Sequence, residues 1–460
     1  MKTTIIPALL GAVAFAVPAQ AQDHSGHDMG TMQPAPAPAP TPTAQSEQTM
    51  PPMEGMDHMT MDHSGDDTSS HAMQGHDMAA MTEADPDKPR EGSGTARLPA
   101  REAPDPMLHA MAGDWMLMAH GNASLNYTKH TGPRGDDKLY ATSMLMLMAE
   151  RQADWGRFQA RTMLSLEPAM DARGYPNLFA TGETANGLPL VDRQHPHDLF
   201  MELAARLDIN AGPGSLFLYG GPVGEPAFGP SAFMHRGSAR NNPEPPITHH
   251  WFDSTHITYG VVTAGYATDL FQIEGSAFRG QEPDEHRWNI ETPRLDSWSV
   301  RGTLTPTPNW ALQASYGEIK QPEATHPGEN ENRFTASAHY AGRAVSAMLA
   351  FSAKKRVPGD TLTAWLGEVN WDIDTANSLF GRIENVKNDE LFPDHLDPRH
   401  DTPFRVTKFQ AGYARHIPLG PVGLTLGGSV NAYAKPAVLD AVYGDNPMGY
   451  TLFAKLTLGN

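Results

Sequence analysis

From Trp115 to the C-terminus, apolar and polar residues alternate with a period of two. In the segment WMLMAHGNASLNYTKH, which starts at Trp115, the odd positions are mainly apolar and the even positions carry polar groups or methionine. This alternation is typical of a β-strand with one apolar and one polar face. It recurs in about sixteen segments, an even number like that of outer-membrane barrels. The sequence therefore predicts an all-β fold over residues 113–460.

The connections between the predicted strands alternate between short and long. Tight turns such as ADWG, AGPG and DTAN contrast with long connections at 169–197, 222–255, 281–293, 319–331, 389–402 and 435–448. Outer-membrane barrels combine short periplasmic turns with longer outer loops and have a polar interior. Charged residues on the polar face, such as Glu202, Arg206 and Glu274, fit such an interior. We predict a transmembrane antiparallel β-barrel embedded in outer-membrane lipid. The alternative is a soluble β-sandwich or a secreted barrel with a water-facing outside, because the strands of a soluble sheet also alternate.

The N-terminus has the pattern of a cleavable secretory signal. Lys2 precedes an apolar stretch, and Ala19, Gln20 and Ala21 form a small-residue cleavage motif, so we expect residues 1–21 to be removed. The later sequence lacks an apolar run of the roughly 18 residues that a membrane helix needs. Together with the predicted barrel, the signal indicates the outer membrane of a Gram-negative bacterium.

Residues 22–112 have a different composition. They contain PAPAPAPTPT and many Asp, Ser, Gly and Gln residues, but few aromatic or β-branched ones, so we predict a disordered tail. The tail carries half of the 24 methionines and a third of the 21 histidines, in repeats such as DHSGHDMGTM and MDHMTMDHSG. The predicted metal-binding residues of the tail are His24, His27, Met29, Met32, Met50, Met53, Met56, His58, Met59, Met61, His63, His71, Met73, His76, Met78 and Met81.

This mixture of thioether and imidazole groups indicates copper. Thioethers select Cu(I) and imidazole suits Cu(II), whereas zinc or nickel would not explain so many methionines. Silver would use the same donors as Cu(I). The chain contains no cysteine, so thiolate sites are excluded, and a formal net charge of −19 argues against nucleic acid as a partner. An even strand number places both ends of the barrel in the periplasm, where the tail would capture copper.

A second group of methionines occupies inward positions of the first three predicted strands. Because the first two strands run antiparallel, we expect Met116 and Met118 to lie beside Met146 and Met148. This group would receive metal from the tail. The alternative is simple packing, because methionine readily fills irregular space. The predicted metal-binding residues of the barrel are Met116, Met118, His120, Met144, Met146 and Met148, with Met163 on the third strand.

Two long loops carry further histidines. These residues either bind a metal ion inside the barrel or act as hydrogen-bonded supports of the loops. Ser254 and His256 are close in sequence, but no G-x-S-x-G elbow accompanies them, so we predict no catalytic residues and no enzyme. The loop histidines are His195, His197, His235, His249, His250 and His256.

The MDHMTMDHSG and SGHDM repeats after a signal peptide, followed by a barrel, resemble the copper-resistance protein B family of Gram-negative bacteria. The resemblance covers residues 23–81 by motif and the barrel by architecture, while the segments HPHDLF and NPEPPITHHW have no match in it. It implies an outer-membrane protein that binds or exports copper beside a periplasmic multicopper oxidase.

We therefore predict a copper-tolerance protein whose tail captures periplasmic copper and whose barrel sequesters or exports it. A general diffusion porin, or an adhesive barrel, with an incidental tail is the alternative. The sequence leaves open the oligomeric state, the direction of transport and whether the lumen is open.

Overall fold

The structure is a computed structural model that describes residues 87–459. Sixteen antiparallel strands close into a barrel, so the predicted fold class is confirmed. The signal peptide and the Met/His repeats of the predicted tail lie outside the described residues. The barrel strands are β1 Trp115–His130, β2 Asp137–Ala153, β3 Gly156–Leu164, β4 Phe200–Ala211, β5 Gly214–Gly224, β6 Thr258–Ala267, β7 Phe271–Phe278, β8 Ser297–Thr307, β9 Trp310–Ile319, β10 Asn330–Ala341, β11 Val345–Val357, β12 Thr361–Asp372, β13 Asn377–Asn388, β14 Phe404–Leu419, β15 Val422–Ala434 and β16 Met448–Leu458.

The seam of the barrel is closed by both ends of the described chain. Strand β16 pairs with β1 from Gly121 to His130. A short N-terminal strand, Leu108–Ala112, pairs with the remaining part of β1, from Trp115 to Ala119. The N-terminal strand therefore continues the position of β16 in the barrel wall.

Residues 90–102, here named the N-terminal plug, lie inside the barrel. The side chain of Thr95 donates a hydrogen bond to Glu274 Oε2 at 2.5 Å, and Arg301 Nη2 donates to Thr95 Oγ1 at 3.0 Å. Arg161 Nη2 donates to the carbonyl of Gly94 at 2.6 Å. The predicted end of the tail at residue 112 thus needs correction. The barrel wall supplies the hydrogen-bonding partners of this segment, and the composition of residues 90–102 does not reveal these partners.

The two ends of the barrel differ in their connections. The short-turn end has the connections 154–155, 212–213, 268–270, 308–309, 342–344, 373–376 and 420–421. The loop end has six long loops, as predicted, at 165–199, 225–257, 279–296, 320–329, 389–403 and 435–447, and two short connections at 131–136 and 358–360.

The loops contain six short helices: Glu167–Ala169, Phe233–His235, His249–Phe252, Ser254–His256, Ala437–Leu439 and Asp440–Tyr443. Among the described residues, no helix is long and apolar enough to cross a membrane.

The outer surface of the barrel is apolar and carries aromatic pairs. Leu349 is one of many exposed aliphatic residues at outward positions. The rings of Trp310 and Tyr340 lie 5.0 Å apart near the short-turn end, and those of Phe351 and Trp365 lie 4.7 Å apart nearer the loop end. An apolar band between two aromatic girdles is the lipid-facing surface of an outer-membrane barrel.

The lumen is filled by loop 225–257, here named the inserted loop, together with the N-terminal plug. Arg236 of this loop binds Glu368 of β12, with Nε at 2.9 Å from Oε2. Glu244, farther along the same loop, accepts a hydrogen bond from Lys408 of β14 at 2.9 Å. Inward side chains of the wall that would face water in an open channel are consequently buried, Arg333 among them.

Candidate functional site

Four methionines form a buried group on one side of the lumen, here named the thioether cluster: Met144, Met146, Met163 and Met201. The register of the first three strands brings them together, because Met146 of β2 lies opposite Met163 of β3. Met148 and Met234 pack against the group and are partly buried. The inward direction predicted for the β2 and β3 methionines agrees with the structure.

The register between β1 and β2 differs in part from the prediction. Met118 lies opposite Met148, as expected, but Met116 lies opposite Glu150, and His120 faces Met146. A shift by two residues keeps every side chain on the same face, so the alternation pattern does not determine it. Met116 is partly buried and lies away from the thioether cluster.

His120 adds an imidazole to the thioether cluster. Its Nε2 lies 3.0 Å from Met146 Sδ. The ring of His235, from the inserted loop, lies 6.4 Å from the ring of His120. Within the described part of the chain, the buried Nε2 of His235 has no hydrogen-bond partner. Sulfur and imidazole donors therefore meet at this place.

Met201 is not among the predicted metal-binding residues, because simple alternation puts it on the same face as Leu203, which is exposed. The structure buries it to 1 % exposure. The register shifts between Phe200 and Glu202, so a β-bulge turns both Met201 and Glu202 inward. A bulge adds one residue to a strand and changes the facing of its neighbours, which a count of alternating residues does not detect.

Five loop histidines form a second cluster beside the first, here named the histidine group. His195 and His197 come from loop 165–199, and His249, His250 and His256 come from the inserted loop. The ring centroids of His249 and His256 lie 5.1 Å apart, and those of His197 and His256 lie 5.5 Å apart. Loops remote in sequence thus bring five imidazoles together.

Four of these rings are held through Nδ1, His195 by the carbonyl oxygen of Pro196 at 3.1 Å. His197 Nδ1 lies 2.9 Å from Glu167 Oε2, and His249 Nδ1 lies 2.9 Å from Asp253 Oδ1. His256 Nδ1 lies 2.7 Å from the carbonyl oxygen of Asp253. In metal sites, histidine ligands are held in this manner by a carboxylate or a carbonyl on the other ring nitrogen. Metal binding and structural support by the loop histidines are therefore compatible, because a ring can accept support at one nitrogen and bind a metal ion at the other.

In three rings of the histidine group, Nε2 is buried but unbonded. Among the described residues, the Nε2 atoms of His195, His197 and His256 have no hydrogen-bond partner. A buried polar atom without a partner is unfavourable, so a native structure requires a reason for each one. An ion that accepts these lone pairs would supply that reason.

The histidines of the group differ in the direction in which their pKa values are shifted. Burial, together with nearby Arg287 and His197, holds the pKa of His195 well below its usual range. Burial and the neighbouring histidines do the same for the pKa of His256. Burial also acts on His250, but Glu282 and Glu323 outweigh it and raise the pKa to about 9. Neutral imidazole is the ligand form, so a cation bound by His250 has to displace a proton.

A cavity of about 100 Å³ connects the two groups. Met144, Met201 and Met234 line one side of it, and His197 and Glu167 line another. The cavity is large enough for a metal ion, and its walls carry thioether, imidazole and carboxylate groups.

The fold and this interior define the class of protein to which the chain belongs. A closed barrel of sixteen strands with a lipid-facing apolar band, short turns at one end and long loops at the other is a porin-type outer-membrane barrel. Comparison with solved structures agrees. The chain is similar to OmpF of Salmonella typhi, solved as a complex with daunomycin, with 11% sequence identity and a TM-score of 0.50, over 76% of this chain and 100% of that chain.

It is also similar to an anion-selective porin from Comamonas acidovorans, with 10% identity and a TM-score of 0.48, over 75% of this chain and 100% of that chain. At these identities the likeness concerns the fold. No family model matches the chain. A search of curated proteins gave no match.

Proposed function

We propose that this outer-membrane barrel is a copper-binding protein that holds the metal between the thioether cluster and His197 of the histidine group and contributes to copper tolerance. The cavity lined by Met144, Met201 and His197 carries the proposal. Thioether sulfur selects Cu(I), and imidazole binds copper in both oxidation states. The 3.0 Å approach of His120 Nε2 to Met146 Sδ supports the same chemistry next to the cavity.

The predicted tail would deliver the metal from the periplasm. Asp87, near the start of the described residues, forms an ion pair with Arg101, whose backbone N–H donates to the carbonyl of Pro308 in a turn of the short-turn end. In outer-membrane barrels the short turns face the periplasm. We propose that the tail is periplasmic. As part of the same proposal, the protein is related to copper-resistance protein B. It would work beside a periplasmic multicopper oxidase.

A general diffusion porin is the second candidate function, and similarity of fold taken alone favours it. A diffusion pore, however, needs a continuous water-filled lumen, with its wall charges facing water. Here Arg333, Lys354 and Lys408 are inward wall residues that are buried. The inserted loop contacts all three, through Ser254, Trp251 and Glu244 respectively. This packing favours a barrel that binds a ligand over one that conducts freely.

Conductance in planar lipid bilayers separates these two candidates. For the full chain we expect no stable conductance of porin size in the absence of copper. A steady open conductance that is independent of copper would instead support the diffusion porin and contradict the proposed function.

The copper site itself is tested by replacing Met144, Met146, Met163 and Met201 together with leucine. Leucine conserves volume, so the barrel should fold, but it removes the sulfur donors. We expect a lower Cu(I) stoichiometry for the full chain in a titration against a chromophoric chelator. Met348→Leu is the matched control, because Met348 is an equally buried methionine in a different part of the lumen. Equal stoichiometry in wild type, control and fourfold variant would refute the site.

Deleting residues 23–85 tests the delivery step in cells. Loss of copper tolerance with unchanged solute permeability is expected. Unchanged tolerance would show that the tail is incidental.

A further inference from the structure

A second group of possible metal ligands includes two members of the histidine group. It consists of Glu183, His195 and His250, whose ligand atoms all lie within 4.8 Å of one another. None of the three carries sulfur, and no residue of the thioether cluster belongs to the group. Its donor chemistry is therefore different from that of the copper site proposed above.

Glu183 and His195 face each other in a fixed arrangement. His195 Nε2 lies 3.3 Å from Glu183 Oε1, yet within the described residues that nitrogen makes no hydrogen bond. His195 Nδ1 lies 3.1 Å from the carbonyl oxygen of Pro196. The other oxygen of Glu183 accepts a hydrogen bond from Arg287 Nη2 at 2.9 Å. Each ligand is thus held by a second contact that leaves its inner atom free, as outer-shell partners do in metal sites.

His250 presents its Nδ1 to two further carboxylates. The distances are 3.4 Å to Glu282 Oε1 and 3.9 Å to Glu323 Oε1. In the part of the chain that the structure describes, neither His250 Nδ1 nor Glu282 Oε1 has a hydrogen-bond partner. His195, His250 and Glu282 are each less than a tenth exposed. His250 Nδ1 and Glu282 Oε1 are thus two buried atoms without partners that lie 3.4 Å apart, and His195 Nε2 of the same group is a third such atom.

The glycine before Glu183 permits this position of the His250 ring. A Cβ atom on Gly182 would lie 2.6 Å from ring atoms of His250, and its φ of +110° is a conformation that other residues rarely adopt. The chain at residue 182 is thus shaped around the imidazole.

We propose that Glu183, His195 and His250 bind a borderline divalent cation, Zn(II) or Cu(II), with Glu282 as a further oxygen donor. Two imidazoles with carboxylate oxygens and no sulfur suit these ions and do not suit Cu(I). The cation connects loop 165–199, the inserted loop and, through Glu282, loop 279–296. This site goes beyond the proposed function, because it does not require copper in the thioether cluster.

Hydrogen exchange measured by mass spectrometry on the full chain in detergent locates the site separately from any metal bound by the tail. On addition of Zn(II), and in a parallel arm Cu(II), we expect slower exchange in peptides that cover residues 183–198 and 247–257. Glu183→Gln and His195→Gln should each abolish this protection. His339→Gln is the matched control, because it removes another buried histidine, on β10, that lies outside the site.

The outcomes are distinct. Protection by either ion that is lost in the two site variants and kept in the control supports the site, and the stronger arm identifies the ion. Protection that survives in both site variants overturns it, as does the absence of protection by both ions. The fourfold Met→Leu variant must keep the protection, so failure of the thioether site and failure of this site give different results. A gel-mobility shift of unheated samples confirms that each variant is a folded barrel.

Discussion

Arg236 is the most completely buried link between the inserted loop and the barrel wall. Its guanidinium is 0% exposed and donates to Glu368 through Nε at 2.9 Å and Nη2 at 3.1 Å. Nη1 donates to Asp253 Oδ2 at 3.1 Å and to the carbonyl of Ser231 at 2.9 Å. Arg236→Ala removes all of these bonds at once.

The cost of Arg236→Ala depends on which other ion pairs Glu368 and Asp253 keep. Removing one partner of a buried ion pair usually costs about 3–5 kcal/mol, because the other charge remains buried without compensation. Here Glu368 keeps Arg382 Nη2 at 2.8 Å, and Asp253 keeps His249 Nδ1 at 2.9 Å. We therefore expect the lower limit, about 3 kcal/mol, in the free energy that holds the loop in the lumen.

Amide hydrogen exchange across residues 231–253 measures that free energy locally. A loss of about 3 kcal/mol corresponds to exchange roughly 100-fold faster in this segment, with the strands of the wall unaffected. Arg240→Ala is the control. Arg240 lies on the same loop and pairs with Asp372 on the wall, but both side chains are about 30% exposed, and the expected cost is at most about 1 kcal/mol. If both variants exchange at the same rate, ion pairing to the wall does not hold the loop in place.

Three further predictions concern the lipid face, the plug and a loop carboxylate. Leu349→Arg, between the aromatic girdles, should destabilise the barrel by about 2–4 kcal/mol in lipid vesicles. Leu419→Arg, next to a short turn, should cost only about 0–1 kcal/mol. Equal effects of the two substitutions in urea titrations would contradict the assigned lipid band. Thr95→Val should cost about 1–3 kcal/mol in the plug, because it deprives Glu274 of a buried hydrogen bond, and unchanged hydrogen exchange over residues 90–98 would refute this. Burial raises the pKa of Asp192 to about 6, against the opposing effect of Arg134. As the pH falls, the folded protein therefore binds a proton at this carboxyl at a higher pH than the unfolded chain does. The resulting contribution to stability is lost as the pH rises through 6. Asp192→Asn should flatten the pH dependence of loop unfolding between about pH 4 and 6, and an identical pH profile in the variant would exclude this carboxyl as the origin.

Much of the barrel was predictable because the alternation of a strand is a local property. The face on which a residue lies depends on its parity, so the inward positions of His120, Met144, Met146 and Met163 followed from the sequence. The lengths of the connections likewise indicated which end carries the loops. The proposed binding of copper by the Met/His repeats at residues 24–81 remains a prediction, because those residues lie outside the described part of the chain.

The sequence of this protein thus determined the strands, their lipid-facing sides and the supply of sulfur and imidazole donors along the first three of them. Closure of the barrel decided what these donors meet. It brought His195 next to His249 and His250 across more than fifty residues of chain, turned Met201 inward through a bulge, and drew residues 90–102 into the lumen. The physical reason is that such contacts depend on register and on loop packing within an enclosed space, and these arise from the whole chain acting together rather than from any local pattern.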